Sequence, residues 1–136
     1  MMDVIAKPLL GVQVLLVDDD EDTRDLFATV LGEAGAEVRT ASDAKEAMRT
    51  VLQWRPCVIA SDLTMPTMDG FLLLRELRSV DQLAQIPAIA FSGLSRTEDR
   101  AAALAAGFQE LVSKPLEPDE LVAAVQRWST TTLAPP

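Results

Sequence analysis

The chain has 136 residues, 49% of them apolar and 24% charged, with a net charge of −9. That length fits one domain, and the composition is that of an ordinary globular protein. The acidic balance argues against direct binding of nucleic acid. No apolar run approaches the ~18 residues that a membrane span needs. The absence of histidine removes Ser-His-Asp and Cys-His catalysis, most zinc sites and any phosphohistidine relay within the chain. Met1-Met2-Asp3-Val4-Ile5-Ala6-Lys7-Pro8 carries an acid where a secretory signal is basic, and its apolar stretch is short, so a cytoplasmic protein is expected. The single Cys57 reads as a small buried hydrophobe.

Along the chain, short apolar runs alternate with helical patterns. Residues 1–10 read as a lead-in, 11–130 as one domain and 131–136 as a tail. The first strand is expected near 12–17. A helix follows over 21–34, where Leu26, Phe27, Val30, Leu31 and Ala34 recur at three and four residues and Gly35 ends it. A strand at 36–40 leads to a helix over 43–54, capped by Ser42 or Asp43, with Ala44, Ala47, Met48, Val51 and Leu52 as its stripe. The strand at 57–61 precedes a helix over 70–79 that carries Phe71, Leu74 and Leu77. After the strand at 86–91, Ser95-Arg96-Thr97-Glu98 forms a capping box for a helix over 95–106, stopped by Gly107. The strand at 109–113 precedes a helix over 117–130 that opens with Glu117-Pro118 and buries Leu121, Val122, Val125 and Trp128. The first, third and fourth strands are nearly continuous apolar runs, as suits strands buried on both faces. The pattern predicts an α/β fold with a parallel sheet.

Polar residues stand where four of these runs end. Asp18-Asp19-Asp20 follow the first strand, Asp62 the third, Ser92 the fourth and Lys114-Pro115 the fifth. In an open parallel sheet the ligand crevice lies outside the carboxyl ends of the strands, so all four groups converge on one edge. Adjacent carboxylates repel one another unless a cation neutralises them, and Mg²⁺ needs only one or two carboxylates plus a phosphate oxygen. Helix capping accounts for Asp20, Glu21 and Asp22 but not for Asp18 and Asp19 at the strand end. A carboxylate beside such a metal can attack phosphorus, with an ammonium neutralising the phosphoryl oxygens; Asp62 and Lys114 supply these groups and Ser92 a hydroxyl.

Val14-Leu15-Leu16-Val17-Asp18-Asp19-Asp20, Ser61-Asp62-Leu63-Thr64-Met65-Pro66-Thr67-Met68-Asp69-Gly70, Phe91-Ser92-Gly93 and Ser113-Lys114-Pro115-Leu116 together resemble the motifs of response-regulator receiver domains of two-component signalling. The likeness covers about residues 11–128. It implies a flavodoxin-like fold, a five-stranded parallel sheet of order 2-1-3-4-5 flanked by five helices. It implies that Asp62 is the phosphoacceptor, fed by a histidine kinase or phosphotransfer protein. Asp19, Asp62 and the backbone carbonyl of Thr64 would bind Mg²⁺ directly, and Asp18 chiefly through water. Ser92 would be the switch hydroxyl, Lys114 would pair with the phosphoryl group, and the Lys114–Pro115 bond would be cis. A protein target would be met by helix 95–106, strand 109–113 and helix 117–130.

One position departs from the family pattern: Leu111 stands where many receivers carry Tyr or Phe. Ala101, Ala102, Ala103, Ala105 and Ala106 make the preceding helix small-sided, for close packing on the sheet or for a partner surface. Thr64 and Thr67, two and five residues beyond Asp62, carry neither acid nor amide, which implies slow hydrolysis of an aspartyl phosphate. The alternative within the family is a degenerate receiver that binds partners without phosphorylation. A dehalogenase-type phosphatase is disfavoured because Asp22 stands where its motif needs Thr or Val. A calcium loop fails at Thr23 and Thr29, where Gly and Glu are required. No glycine-rich loop follows the first strand, which disfavours a nucleotide-binding module.

Overall fold

The computed structural model describes residues 7–65, 68–93 and 97–129, the side chains of 64, 65, 68–70 and 97 excepted. Among the described residues the strands are β1 (Gln13–Val17), β2 (Glu37–Ala41), β3 (Val58–Asp62), β4 (Thr64–Met65), β5 (Met68–Asp69), β6 (Ala88–Ser92) and β7 (Glu110–Ser113). The α-helices among them are α1 (Glu21–Glu33), α2 (Ala44–Gln53), α3 (Gly70–Arg78), α4 (Thr97–Ala106) and α5 (Pro118–Ser129).

Alternation along the strands builds two cores. Leu15 and Val17 of β1, Ile59 of β3 and Ala88 and Ala90 of β6 pack with Ala47 and Val51 of α2, Leu73, Leu74 and Leu77 of α3 and Ala103 of α4. Val14, Leu16, Val58, Ala60, Ile89 and Phe91 pack with Phe27 and Leu31 of α1 and Leu121, Ala124 and Val125 of α5. Successive strand residues point to opposite faces, so a strand covered on both sides must be apolar throughout. β1, β3 and β6 are those strands. The sheet order is β2-β1-β3-β6-β7, all pairs parallel. Setting aside the small antiparallel pair β4–β5, this is the expected 2-1-3-4-5 order of the flavodoxin-like fold. The edge strand β2 exposes Glu37, Arg39 and Thr40, as an edge permits.

The helix boundaries follow local chemistry. Asp20 caps α1 by accepting from Thr23 N at 3.0 Å. Asp43 caps α2, accepting from Glu46 N at 2.8 Å, while Glu46 accepts from Ser42 N at 2.6 Å, a reciprocal box that satisfies orphan donors. Pro118 opens α5. Gly35 and Gly107 follow α1 and α4 at φ of +108° and +113°. The Ser95 cap, Thr67, the first six residues and the tail from 130 lie outside the described residues.

Two buried stripes are narrower than the sequence implies. Leu26 is 58% exposed and Leu52 65% exposed. Each sits one residue, about 100° of helix rotation, from a neighbour that is buried, Phe27 or Val51, and so falls off the edge of the core-facing stripe. Close packing of the alanine-rich α4 holds at Ala103; Ala101, Ala102 and Ala105 face outward. The pair β4–β5 and a 3₁₀ turn at Asp81–Leu83 are elements that hydrophobic periodicity does not reveal. β2, β3 and β6 end one residue later than expected, so Asp62 and Ser92 are the last residues of β3 and β6. Within the lead-in, Leu9 is fully buried and its N–H donates to Ala34 O at 2.9 Å.

Candidate functional site

Parallel register brings the strand ends level. Val17 lies beside Ala41 and Ser61, Asp62 beside Phe91, and Ser92 beside Ser113. Asp18 therefore leaves β1 next to the end of β3, and Lys114 leaves β7 one residue beyond the partner of Ser92. The chemistry at this edge is a direct product of the sheet order.

Asp18 is fully buried. Its N–H continues the ladder to Ala41 O at 3.1 Å, and its carbonyl accepts from Arg24 Nη1 at 2.8 Å. Oδ1 accepts from Asp20 N at 2.9 Å, whereas Oδ2 is buried with no hydrogen-bond partner among the described residues. A buried carboxylate oxygen without a donor is costly. Burial above all, together with the charges of Asp62 and Asp19, raises the Asp18 pKa to about 6 against the opposing pull of the Asp20 N–H and Lys114. Asp20 points the other way: its bonds from Thr23 hold its carboxyl below the ordinary value.

Asp62 is 6% exposed, and Ser92 is 1% exposed. Carboxylate oxygens of Asp18, Asp19 and Asp62 all lie within 4.8 Å of one another. Three carboxylates so placed, one of them with an oxygen that lacks a donor among the described residues, fit a hard divalent cation. Lys114 closes the other side, its Nζ 3.3 Å from Asp62 Oδ2 and 5.6 Å from the centroid of the Phe91 ring. The backbone of Lys114 is tied to the same edge, its N–H donating to Ser92 O at 2.8 Å. The Lys114–Pro115 bond is cis.

Sequence reasoning missed several supporting residues. Arg24 holds the Asp18 backbone. Phe27 meets Phe91 edge-on, centroids 5.4 Å apart at 78°, and so buttresses the ring beneath Lys114. Arg100 donates to Leu111 O at 3.1 Å, fastening α4 to β7. These contacts join residues distant in sequence or on opposite sides of a loop, and no local pattern announces them. Leu111 itself is 4% exposed and packs inward with the α2–α3–α4 core. Thr64 lies two residues beyond Asp62 with its backbone in β4. No helix among the described residues is long and apolar enough to cross a membrane.

Comparison with known proteins points the same way. Residues 14–126 match the family model described as response regulator receiver domain. An uncharacterized 14.6 kDa protein from the sodA1 3' region of Leptolyngbya boryana is 42% identical over 120 residues, 88% of this chain and 92% of that protein. The transcriptional regulatory protein GltR of Pseudomonas aeruginosa is 34% identical over 116 residues, 85% of this chain but 48% of the regulator. The chain thus spans about half the length of that regulator. Among solved structures, the chemotaxis response regulator CheY4 of Vibrio cholerae superimposes with a TM-score of 0.81 at 33% identity, covering 85% of this chain and 97% of that one. Family model, relatives, sheet order and the acidic edge agree, and the chain belongs to the response-regulator receiver domains of two-component signalling.

Proposed function

We propose that this receiver is a phosphorylation switch in which Asp62 accepts a phosphoryl group from the phosphohistidine of a histidine kinase or phosphotransfer protein. Receiver domains are signalling modules rather than metabolic enzymes, and the proposed chemistry is self-modification. A carboxylate oxygen of Asp62 attacks phosphorus, the bond to the histidine nitrogen breaks, and an aspartyl phosphate remains. Asp18, Asp19, Asp62 and the carbonyl of Thr64 would hold Mg²⁺, with Asp18 chiefly through water. When bound, that ion supplies charge neutralisation for the phosphoryl oxygens.

The remaining steps belong to the chain's own residues. Lys114 pairs with Asp62 in the resting state and follows the charge onto a phosphoryl oxygen. Ser92 donates its hydroxyl to another. The new group carries about two negative charges, and the state in which Ser92 and Lys114 close on it gains population. The change is passed to a protein target through α4, β7 and α5. Because Leu111 has no ring, it passes without an aromatic rotamer. Thr64 and Thr67 offer no acid or amide to orient water, so hydrolysis of the phosphoryl group is slow.

The observation that carries this reading is the Lys114–Asp62 pair at 3.3 Å beside an Asp18 oxygen that has no donor. The test is titration with beryllofluoride and MgCl₂ followed by amide NMR, on wild type and Asp62→Asn. Saturable, Mg²⁺-dependent shifts around Asp62, Ser92 and Lys114, absent from the variant, are expected. Silence in the wild type would defeat the switch and leave a phosphorylation-independent interaction module.

A further inference from the structure

Helices α3 and α4 leave an open groove of about 620 Å³ between them, lined by Phe71, Arg75 and Arg78 on one side and Ala102, Ala105 and Ala106 on the other. Both linings follow helical spacing, steps of four and three on α3 and of three and one on α4. The walls are therefore two helix faces with an apolar floor and a row of cations along one lip.

Among the described residues the charge on that lip has no acidic counterpart. Arg78 donates to Gly107 O at 2.8 Å, to Gln109 Oε1 at 3.3 Å and to Leu83 O at 3.4 Å, all neutral oxygens. Among the described residues no carboxylate forms an ion pair with Arg78 or with the exposed Arg75. Like charges three residues apart on a helix repel. A helix C-terminus favours cations, but that preference does not require both to line a groove beside Phe71. In a chain of net charge −9 the charged residues of this lining are both cationic. This disfavours an anionic membrane, which the molecule as a whole would repel, and suits a compact acidic ligand that touches the groove alone.

We propose that this groove docks an acidic amphipathic helix of a partner protein. Its apolar stripe would lie over Phe71 and the α4 alanines, and two carboxylates a turn apart would pair with Arg75 and Arg78. The span from Phe71 to Arg78 is about 10 Å at ~1.5 Å per residue, two turns of such a helix, and an amphipathic helix laid in an apolar groove is a recurrent recognition mode. The surface includes α3 and omits β7 and α5, so it shares only α4 with the output surface proposed above. It does not depend on phosphorylation of Asp62.

The test is selection of short amphipathic helical peptides, displayed on phage and randomised at the positions flanking the apolar stripe, against the unphosphorylated full chain. Enriched peptides should carry Asp or Glu one turn apart beside the stripe and shift the amides of Phe71, Arg75, Ala102 and Ala105. Arg75→Glu and Ala102→Glu, both at exposed positions, should each weaken binding by roughly tenfold or more without altering thermal unfolding. Failure to enrich, enrichment of neutral or basic peptides, or binding indifferent to both substitutions would overturn the proposal. So would self-association in sedimentation that Arg75→Glu abolishes, which would make the occupant a second copy of this chain.

Discussion

Lys114 Nζ stands 3.3 Å from Asp62 Oδ2 across 52 residues of sequence, while the Lys114 backbone N–H holds Ser92 O at 2.8 Å. One residue thus touches both the carboxylate proposed to be phosphorylated and the strand end that carries the switch hydroxyl. Its side chain is about one-third exposed, so the resting ion pair is screened and adds little to stability. Its worth rises when more negative charge develops beside it. Lys114→Ala should therefore unfold within about 1 kcal/mol of wild type yet bind beryllofluoride and Mg²⁺ at least roughly tenfold more weakly. Equal affinity in an isothermal titration would remove Lys114 from the site.

Asp18 makes the metal-free protein sensitive to pH. Its folded pKa of about 6 lies above the ordinary 3.8, so between those values the native state binds more protons than the unfolded chain. Stability then falls as pH rises through that window, by up to about 3 kcal/mol from this group. Asp18→Asn keeps an oxygen for the Asp20 N–H and offers its amide to the neighbouring carboxylates. In EDTA the variant should be more stable than wild type near neutral pH, and the two should converge near pH 4. Added Mg²⁺ should stabilise wild type, by about 2.7 kcal/mol at a hundred times its Kd, and the variant far less. Urea unfolding at both pH values, with and without the metal, reads all of this.

Leu111 departs from the family's aromatic, and its environment says what it does instead. It is buried against the α2–α3–α4 core, and its carbonyl accepts from Arg100 of α4. Truncation to Ala removes core volume and should cost about 2–4 kcal/mol. Beryllofluoride-induced shifts at Asp62 and Ser92 should persist in Leu111→Ala at low temperature. Their loss in a variant that remains folded would mean that Leu111 takes part in switching through its packing.

Much of this architecture is legible in the sequence because its cause is local. Continuous apolar runs mark β1, β3 and β6 because both their faces are covered. Asp20, Asp43, Pro118, Gly35 and Gly107 mark helix ends because orphan backbone groups and positive φ select them. The carboxylates at the edge are legible through the rule that parallel strand ends converge. What escapes is set by tertiary geometry: Arg24 on the Asp18 carbonyl, Phe27 beneath Phe91, Arg100 on Leu111. The width of a buried stripe escapes for the same reason, since it depends on how steeply a helix leans on the sheet. Leu26→Gln and Leu52→Gln should thus each stay within about 0.5 kcal/mol of wild type, whereas Leu31→Ala and Val51→Ala should each cost about 2 kcal/mol or more, as chemical denaturation will show.

Two glycines separate conformational from steric causes. Gly32 lies within α1, and a Cβ there would meet nothing within 4 Å. Gly32→Ala should stabilise the protein by about 0.5–1 kcal/mol, because it gains helix propensity and restricts the unfolded chain. Gly107 has φ of +113°, and a Cβ there would come within 3.0 Å of Arg78 Cγ and Nε. Its carbonyl also accepts from Arg78 Nη2 at 2.8 Å, so moving Arg78 aside sacrifices the bond that joins the end of α3 to the turn after α4. Gly107→Ala should destabilise by about 1–3 kcal/mol. The double variant Gly107→Ala with Arg78→Ala tells the two causes apart. If the side-chain clash dominates, removing Arg78 should recover part of the loss caused by the alanine; if backbone strain dominates, the losses should simply add.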